Sequence, residues 1–553
     1  MRPSVLLWGT CAIAAIAIGQ TVALITPPAA TATSTTPTTT IPTSQPATRP
    51  VDITISTETT FILGPVNPDG TINYVEAINQ RLARGVTADN NAAVLLLDIM
   101  GPALFKEPHL TAIRKKLNLP AQPKDAPQLL TLDAYAKIVR PPDAEYDPYP
   151  RRSVGKQFDK AIQAPWAPWA RKDLPIAADY LAKNDRALEV VAKAAARSRF
   201  FIPLHSKDSP AHMLACEVPH LGSMTDASRM LAARAMLRLS EDDVDGAVAD
   251  VLTIHRLSRL VGQHPSLIAA IVALRLESVA ADADVAIARS GRLSSRATMS
   301  YLKELSKLAP LAHPAAAVNE HYRFTSLDNV MMMARRTRFE MPPEMRGLPR
   351  PFDWDRVLRR INKILDDQVV IAEDEPSADA VAAQARLDTE KESLLQMRSE
   401  ENTKRLAMRV GEAVSIGPHA LAQAMQDMLT QTVGMQVVDF AFETVSRCAT
   451  LEREALAKSA LSQTALAIHA YRQDKKSLPE HLGQLVGDYL KDVPFDPFSG
   501  KPLIYKPTKT GYLLYSIGPN RKDDGGDDGM SPAATRSSQP AANRPDDLSV
   551  KME

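Results

Sequence analysis

Residue types able to do chemistry gather at two places in this chain of 553 residues. The first holds His205, His212, Cys216 and His220. His212 and Cys216 stand four apart, so on a helix they would share a face, as zinc ligands can. Pro219 interrupts any helix reaching His220, and no second close pair completes the closed set of a structural zinc site. The reading is therefore of ordinary packed side chains. The second place is Asp523, Asp524, Asp527 and Asp528, which surround Gly525-Gly526 after the last apolar run. Taken alone, these four read as a solvated acidic loop. The pairs Asp242/Asp243 and Asp366/Asp367 point about 100° apart on a helix, which suits a helix terminus or solvated face better than acid–base work. The Pro-rich segment with Trp166 and Trp169 reads as a loop clamped onto a core rather than a carbohydrate groove. No GxSxG, HExxH, P-loop or Gly-rich dinucleotide fingerprint is present, so an enzyme has no positive support.

The elements that must carry these residues are helices. Aromatics make up 5% of the chain while Ala, Leu and Arg recur, and those three lose little conformational freedom in a helix. Periodicity predicts a helix from near Thr71 to Gly85 and another capped by Thr87 and ending at Gly101-Pro102. Further helices are predicted over Leu181–Ala196, Ser295–Leu308, Ala315–Arg336, Asp353–Ile371 and Ala378–Val414. The clearest bundle runs from Asp226 to Arg289, with an SEDD turn, Pro265 opening its third helix and Gly291 closing it. Gly246 and Ala247 read there as small residues that let a neighbouring helix approach. Between Arg335 and Lys363 nine basic residues stand against four acidic ones, a solvated face rather than a binding patch. Cys216 and Cys448 read as two buried thiols rather than a disulfide. A net charge of +1 gives no drive towards nucleic acid.

The N-terminus carries the compartment reading. Val5 to Ile25 is uncharged and apolar, long enough to span a bilayer as a helix and longer than the apolar core of a usual cleaved signal. Arg2 would remain in the cytoplasm. Residues 27–50 are mostly Thr, Ser, Pro and Ala with one charge, Arg49, an extended solvated spacer. The expectation is a single-pass inner-membrane protein with its body on the periplasmic side. Its partners would be the cell membrane, through the N-terminal helix, and unidentified envelope proteins.

At the other end, a helical pattern over Val437–Tyr471 leads to two strand-like runs, Leu503–Tyr505 and Tyr512–Ile517, joined by a Pro507–Gly511 turn. A long helix, Tyr-Arg before Leu-Pro, Asp-Pro-Phe, Gly-Lys-Pro-Leu-x-Tyr, Tyr-Ser-x-Gly and an Asp/Gly loop follow in order. This stretch resembles the C-terminal half of major pseudopilins of type II secretion over 437–529. The resemblance implies a loop folded around calcium, with Asp523, Asp524, Asp527 and Asp528 as ligands helped by backbone carbonyls. Calcium takes six to eight oxygens, and glycines let the loop bend around it. Asn520 departs from the pattern, standing where an acidic residue often sits. The whole chain also resembles an uncharacterised envelope-protein family of planctomycete type. The matching stretches are NYVEAINQRLARGVTADNNAAVLL, YLAKNDRAL, 242–260 and the tail, and that family brings no known activity.

The expected fold is mainly α: a multi-helix bundle body with a small C-terminal α+β pseudopilin-like module, a long helix plus β-hairpin. The expected organisation is an anchor or signal over 1–26, a linker over 27–57, a helical domain over 58–430, the module over 431–529 and a disordered tail over 530–553. The expected function is that of an exported, membrane-tethered, non-enzymatic envelope protein working through protein–protein contacts, with a calcium-binding loop. The alternatives are a periplasmic hydrolase with a cleft between helices and a metal-dependent sensor.

Overall fold

In the computed structural model, the structure describes residues 51–139, 150–161, 167–336, 352–373, 377–397, 399–527 and 546–552. The expected anchor, most of the linker, Trp166, the turn between Arg336 and Phe352, and Asp528 lie outside the described residues. The described part is mainly helical, with 16 α-helices and one small antiparallel sheet. In order, α1 is Tyr74–Leu82, α2 Ala92–Leu104, α3 His109–Lys116, α4 Leu132–Val139, α5 Pro150–Ala161 and α6 Pro175–Ala195. The central helices are α7 (His220–Ser240), α8 (Val244–Val261), α9 (Leu267–Ser290) and α10 (Ser295–Leu305). Then come α11 (Pro314–Ala317), a π-helical turn (Val318–Tyr322), α12 (Arg323–Arg336), α13 (Trp354–Glu373), α14 (Ala378–Met397), α15 (Glu400–Ile416) and α16 (Pro418–Lys475). The strands are β1 (Ile504–Pro507), β2 (Tyr512–Ser516) and β3 (Leu548–Met552).

The 58-residue α16 is the spine, packing on α9, α10, α13, α15 and two strands of the sheet. Both helices carry small, fully buried side chains, among them Ala280 and Ala283 on α9 and Ala457 and Ala465 on α16. Such faces let helix axes approach closely. One apolar core joins α2, α6–α10, the C-terminal part of α16 and the sheet. A second gathers α1 and α11–α14.

Local chemistry explains where helices start and stop. Asn73, Asn91, Asp243, Ser266, Ser294 and Ser399 each accept a first-turn N–H as N-caps. Thr87 is therefore not the cap of α2; it trades hydrogen bonds with Asn90 in the preceding turn. Helix α2 also runs through Gly101-Pro102. Pro102 has no N–H for the carbonyl of Asp98 four residues back, and the side chains of Gln122 and Gln128 donate to that carbonyl instead, at 2.8 and 3.0 Å. The predicted single helix over Ala378–Val414 is two, because Ser399 caps a new start. Gly246 is small for its own cap: a Cβ there would collide with the Asp243 carboxylate.

Several boundaries move. Val51, Ile53 and Ile55, expected in the linker over 27–57, pack on the second core, and Thr54 N–H donates to Asp355. The expected division at 430/431 falls inside α16. The expected disordered tail contains β3, which pairs with β2 from Tyr512↔Met552 to Ser516↔Leu548. The hairpin is thus the first two strands of a three-stranded sheet in the order β1-β2-β3, with Ile504 opposite Tyr515.

The expectation of a transmembrane signal anchor, a single pass through the inner membrane and a periplasmic body is corrected. Among the described residues no helix is long and apolar enough to cross a membrane. The longest described helices are broken up by charge; α9 alone carries Arg275, Glu277, Asp282, Asp284 and Arg289.

Candidate functional site

The sequence cluster of ligand types is dispersed by the fold. His212 and Cys216 bracket a single 3-10 turn, Met213–Ala215, and do not share an α-helical face. The His205 ring faces His109, that of His212 lies near Asp328, and that of His220 meets His264, Phe105 and Phe200. The Cys216 thiol donates to the His212 carbonyl at 3.5 Å, and Cys216 and Cys448 are both free. Trp169 donates its indole N–H to the Ala233 carbonyl of α7, a clamp on the core. The acidic pairs are structural: Asp243 caps α8 and Asp242 pairs with Arg292, while Asp366 and Asp367 pair with Arg323 and Arg386.

A constellation that sequence reasoning missed lies at the centre of the bundle. His255 of α8 stands between two carboxylates of α9, with Nδ1 2.9 Å from Glu277 Oε2 and Nε2 3.0 Å from Asp284 Oδ2. Arg259 pairs with Glu277, and the hydroxyls of Tyr301 and Ser462 donate to Asp284. Burial alone would lower the His255 pKa, but Glu277 and Asp284 overcome it and raise it to about 10. Burial would raise that of Glu277, but His255 and Arg259 bring it down to about 2. Exposure of His255, Glu277 and Asp284 is at most 1%, so nothing reaches these acid–base groups without parting α8 from α9. The sequence signal was available: Glu277 and Asp284 are seven apart on one otherwise apolar face, opposite a lone histidine.

The acidic loop after β2 is a different case. It leaves the sheet over Asp496, whose buried carboxylate accepts from Ser516 Oγ (2.7 Å), Ile517 N–H, Phe498 N–H and Ser499 Oγ. The Asp of the Asp-Pro-Phe stretch is therefore a tie holding the end of β2. Asp523 accepts from Gly525 N–H (2.9 Å) and Tyr515 OH (3.0 Å), which hold its carboxyl below the usual range. Asp524 accepts from the Asn520 amide at 2.8 Å, and Asn520 N–H donates to Asp546 at 3.1 Å. Asn520 thus donates to two carboxylates; an aspartate in its place would keep the backbone bond to Asp546 but lose the side-chain amide bond to Asp524.

The remaining member lies in the stretch expected to be a disordered tail. Asp547, just before β3, is fully buried; its Oδ2 accepts from Gly526 N–H (2.7 Å) and Asp524 N–H (3.1 Å). Among the described residues its Oδ1 has no hydrogen-bond partner. Burial, with the charges of Asp524 and Asp523, pushes its carboxyl up to about 6 against the pull of Gly526 N–H. Asp527 lies alongside, its carbonyl accepting Asp547 N–H at 3.0 Å. The return of this segment is shaped by Gly518, at φ +67°, where any Cβ would strike the Asp546 backbone. Asp523, Asp524 and Asp527 are thus brought to one loop, joined by Asp546 and Asp547.

The donor set is wholly oxygen, which suits a hard cation, and a buried carboxylate oxygen without a partner is a place for one. In the arrangement seen, the loop carboxylates turn to N–H and O–H donors. Among the described residues no three His, Cys, Asp or Glu are grouped as a metal-ligand set. No protein-family profile, curated protein or solved structure matches this chain.

Proposed function

We propose that this protein is a non-enzymatic helical scaffold that acts through contacts with other proteins, and that its C-terminal pseudopilin-like module binds calcium through the acidic loop. The observation that carries the calcium reading is the open Oδ1 of fully buried Asp547, set against Asp523 and Asp524. Asp523, Asp524, Asp527 and Asp547 would hold the ion, with Asp528 and backbone carbonyls completing its oxygen shell. Bound calcium supplies positive charge where carboxylates crowd, and so fastens the loop and β3 to the sheet. The scaffold reading is supported by the sealed His255 constellation, which offers no reacting molecule a way in.

The experiment is a thermal melt of the full chain in calcium and in chelator, repeated on Asp523→Ala/Asp527→Ala. The parent is expected to melt higher with calcium, and the double variant to melt alike in both. A parent indifferent to calcium overturns the reading. At a hundredfold excess over Kd the stabilisation is about 2.7 kcal/mol.

A further inference from the structure

A row of three imidazoles has no part in the calcium reading. His220 is the first residue of α7, His264 lies in the turn from α8 to α9, and His321 stands in the π-helical turn. The ring centroids of His220 and His264 are 5.8 Å apart, and those of His264 and His321 6.3 Å. The row crosses from one apolar core to the other. His220 meets Phe105 and Phe200 of the first core, while Val318 and Tyr322 of the π-helical turn belong to the second. His220 and His264 are only 3% and 5% exposed. Among the described residues neither ring nitrogen of His220 has a hydrogen-bond partner. His264 Nδ1 accepts from Ser266 N–H at 3.2 Å, which puts the proton of the neutral ring on Nε2. That nitrogen is buried and likewise without a partner among the described residues. Thr325 Oγ1 stands 3.5 Å from His321 Nδ1, with its own proton given to the His321 carbonyl.

Among the described residues no carboxylate balances the row. Burial alone brings the pKa of His220 and His321 down to about 4. Burial, with the other two imidazoles, brings that of His264 well below its ordinary 6.5. Charged groups on the surrounding elements are engaged elsewhere. Glu320, next to His321 in the chain, pairs with Arg81, and Arg259 of α8 pairs with Glu277. Asp328 of α12 accepts Met213 N–H and lies near His212. His109 of α3, which meets the same Phe105, has its own pKa lowered, first by burial. The row is the reverse of His255, whose two carboxylates hold its proton in place.

We propose that this row is an acid-operated joint between the two cores: protons taken up by His220, His264 and His321 part the start of α7, the α8–α9 turn and the π-helical turn, while each core stays folded. A buried imidazole without an acceptor has to reach water before it can charge, so protonation and opening are one event. The direction follows from the lowered pKa values. Each ring's contribution to the closed joint is full above its ordinary 6.5 and lost as pH falls towards about 4. Charged neighbours in the row also repel one another, which keeps the open joint from closing again in acid. Full unfolding frees the same three rings, so they also keep the stability of the whole chain from peaking far below 6.5.

The test is hydrogen exchange of the full chain at about pH 7 and about pH 5.5, each rate corrected for the intrinsic effect of pH. Amides over 197–205, 262–270 and 318–326 are expected to open at least about fiftyfold more often at the lower pH, since opening takes up two or more protons and each is worth about tenfold per pH unit below 6.5. Peptides from the middle of α9, over 275–285, are expected to keep their protection. His220→Phe removes one of those protons and is expected to cut the change by about tenfold. His264→Asn, which keeps an acceptor for Ser266 N–H, is expected to do the same and reads the joint independently should His220→Phe fail to fold. His313→Gln, at an exposed histidine, is expected to behave as the parent does. A parent whose joint amides show no excess opening in acid overturns the proposal. So does a change that both joint variants retain in full, or a loss of protection shared by the whole bundle. The result is expected to be the same in calcium and in chelator, which separates it from the outcome at the acidic loop.

Discussion

The protein holds buried carboxylates in two ways. In the bundle, Glu277 and Asp284 are matched by His255 and Arg259, and His255 has both ring nitrogens engaged. In the C-terminal loop, Asp547 is likewise closed to solvent, but its hydrogen bonds come from backbone N–H groups alone; it stands beside two further carboxylates with the charge of Lys506 acting on it, and among the described residues it keeps one oxygen open. Balanced charge of the first kind is complete within the chain and ties α8, α9, α10 and α16 to one another. In the second kind the carboxylates outnumber the cation beside them, Lys506. The contrast separates a part of the fold closed by its own charges from the part where calcium is proposed to bind.

The sharpest way to break the comparison is to remove the bundle's cation. His255→Leu leaves Glu277 and Asp284 facing each other without it, and is expected to cost about 3–5 kcal/mol in denaturant unfolding. The pH dependence follows from the same group. The raised pKa of His255 contributes stability that is full below its ordinary 6.5 and lost as pH rises through about 10. The lowered pKa of Glu277 contributes stability that is full above its ordinary 4.5 and lost as pH falls through about 2. Denaturation midpoints are therefore expected to peak between those ordinary values, and His255→Leu to flatten the alkaline limb.

A smaller effect is expected at the loop. Gly518→Ala places a Cβ against the Asp546 backbone at positive φ, which costs about 1–3 kcal/mol at this strained turn. Hydrogen exchange should show it as faster exchange over 546–552, with the helical bundle unchanged. The smallest effect belongs to neither region and calibrates both. Gln122→Ala with Gln128→Ala leaves the Asp98 carbonyl without its substitute donors, and about 1–2 kcal/mol is expected from the unfolding midpoint.

How far this was legible in the sequence differs between the two regions. The three central helices follow from their apolar periodicity, the SEDD turn and the Gly291 stop, because each signal is local. Helix α7 nonetheless begins at His220, six residues before Asp226, where tertiary burial of Leu221 and Met224 extends it. The carboxylates of the loop were legible, and the β1–β2 hairpin with them. Asp547 and β3 were not: a five-residue strand that follows a Ser/Pro/Ala-rich stretch has no periodicity of its own, and it forms because β2 and α16 offer an edge and a surface. The His109–His205 approach was illegible for the same reason, since a contact across distant positions leaves no trace in spacing. The His255 constellation left one local clue, the paired acids Glu277 and Asp284 on an apolar face, which does not by itself name their partner.

The central claim, that the unbalanced loop is completed by calcium, is tested most directly by a calcium-binding isotherm of the full chain alongside Asp547→Asn. The account predicts one bound calcium in the parent and a fall of at least about tenfold in affinity for the variant, since Asp547 is one of few buried oxygens in the loop. Absence of calcium binding in the parent, or an isotherm unchanged by Asp547→Asn, would contradict it.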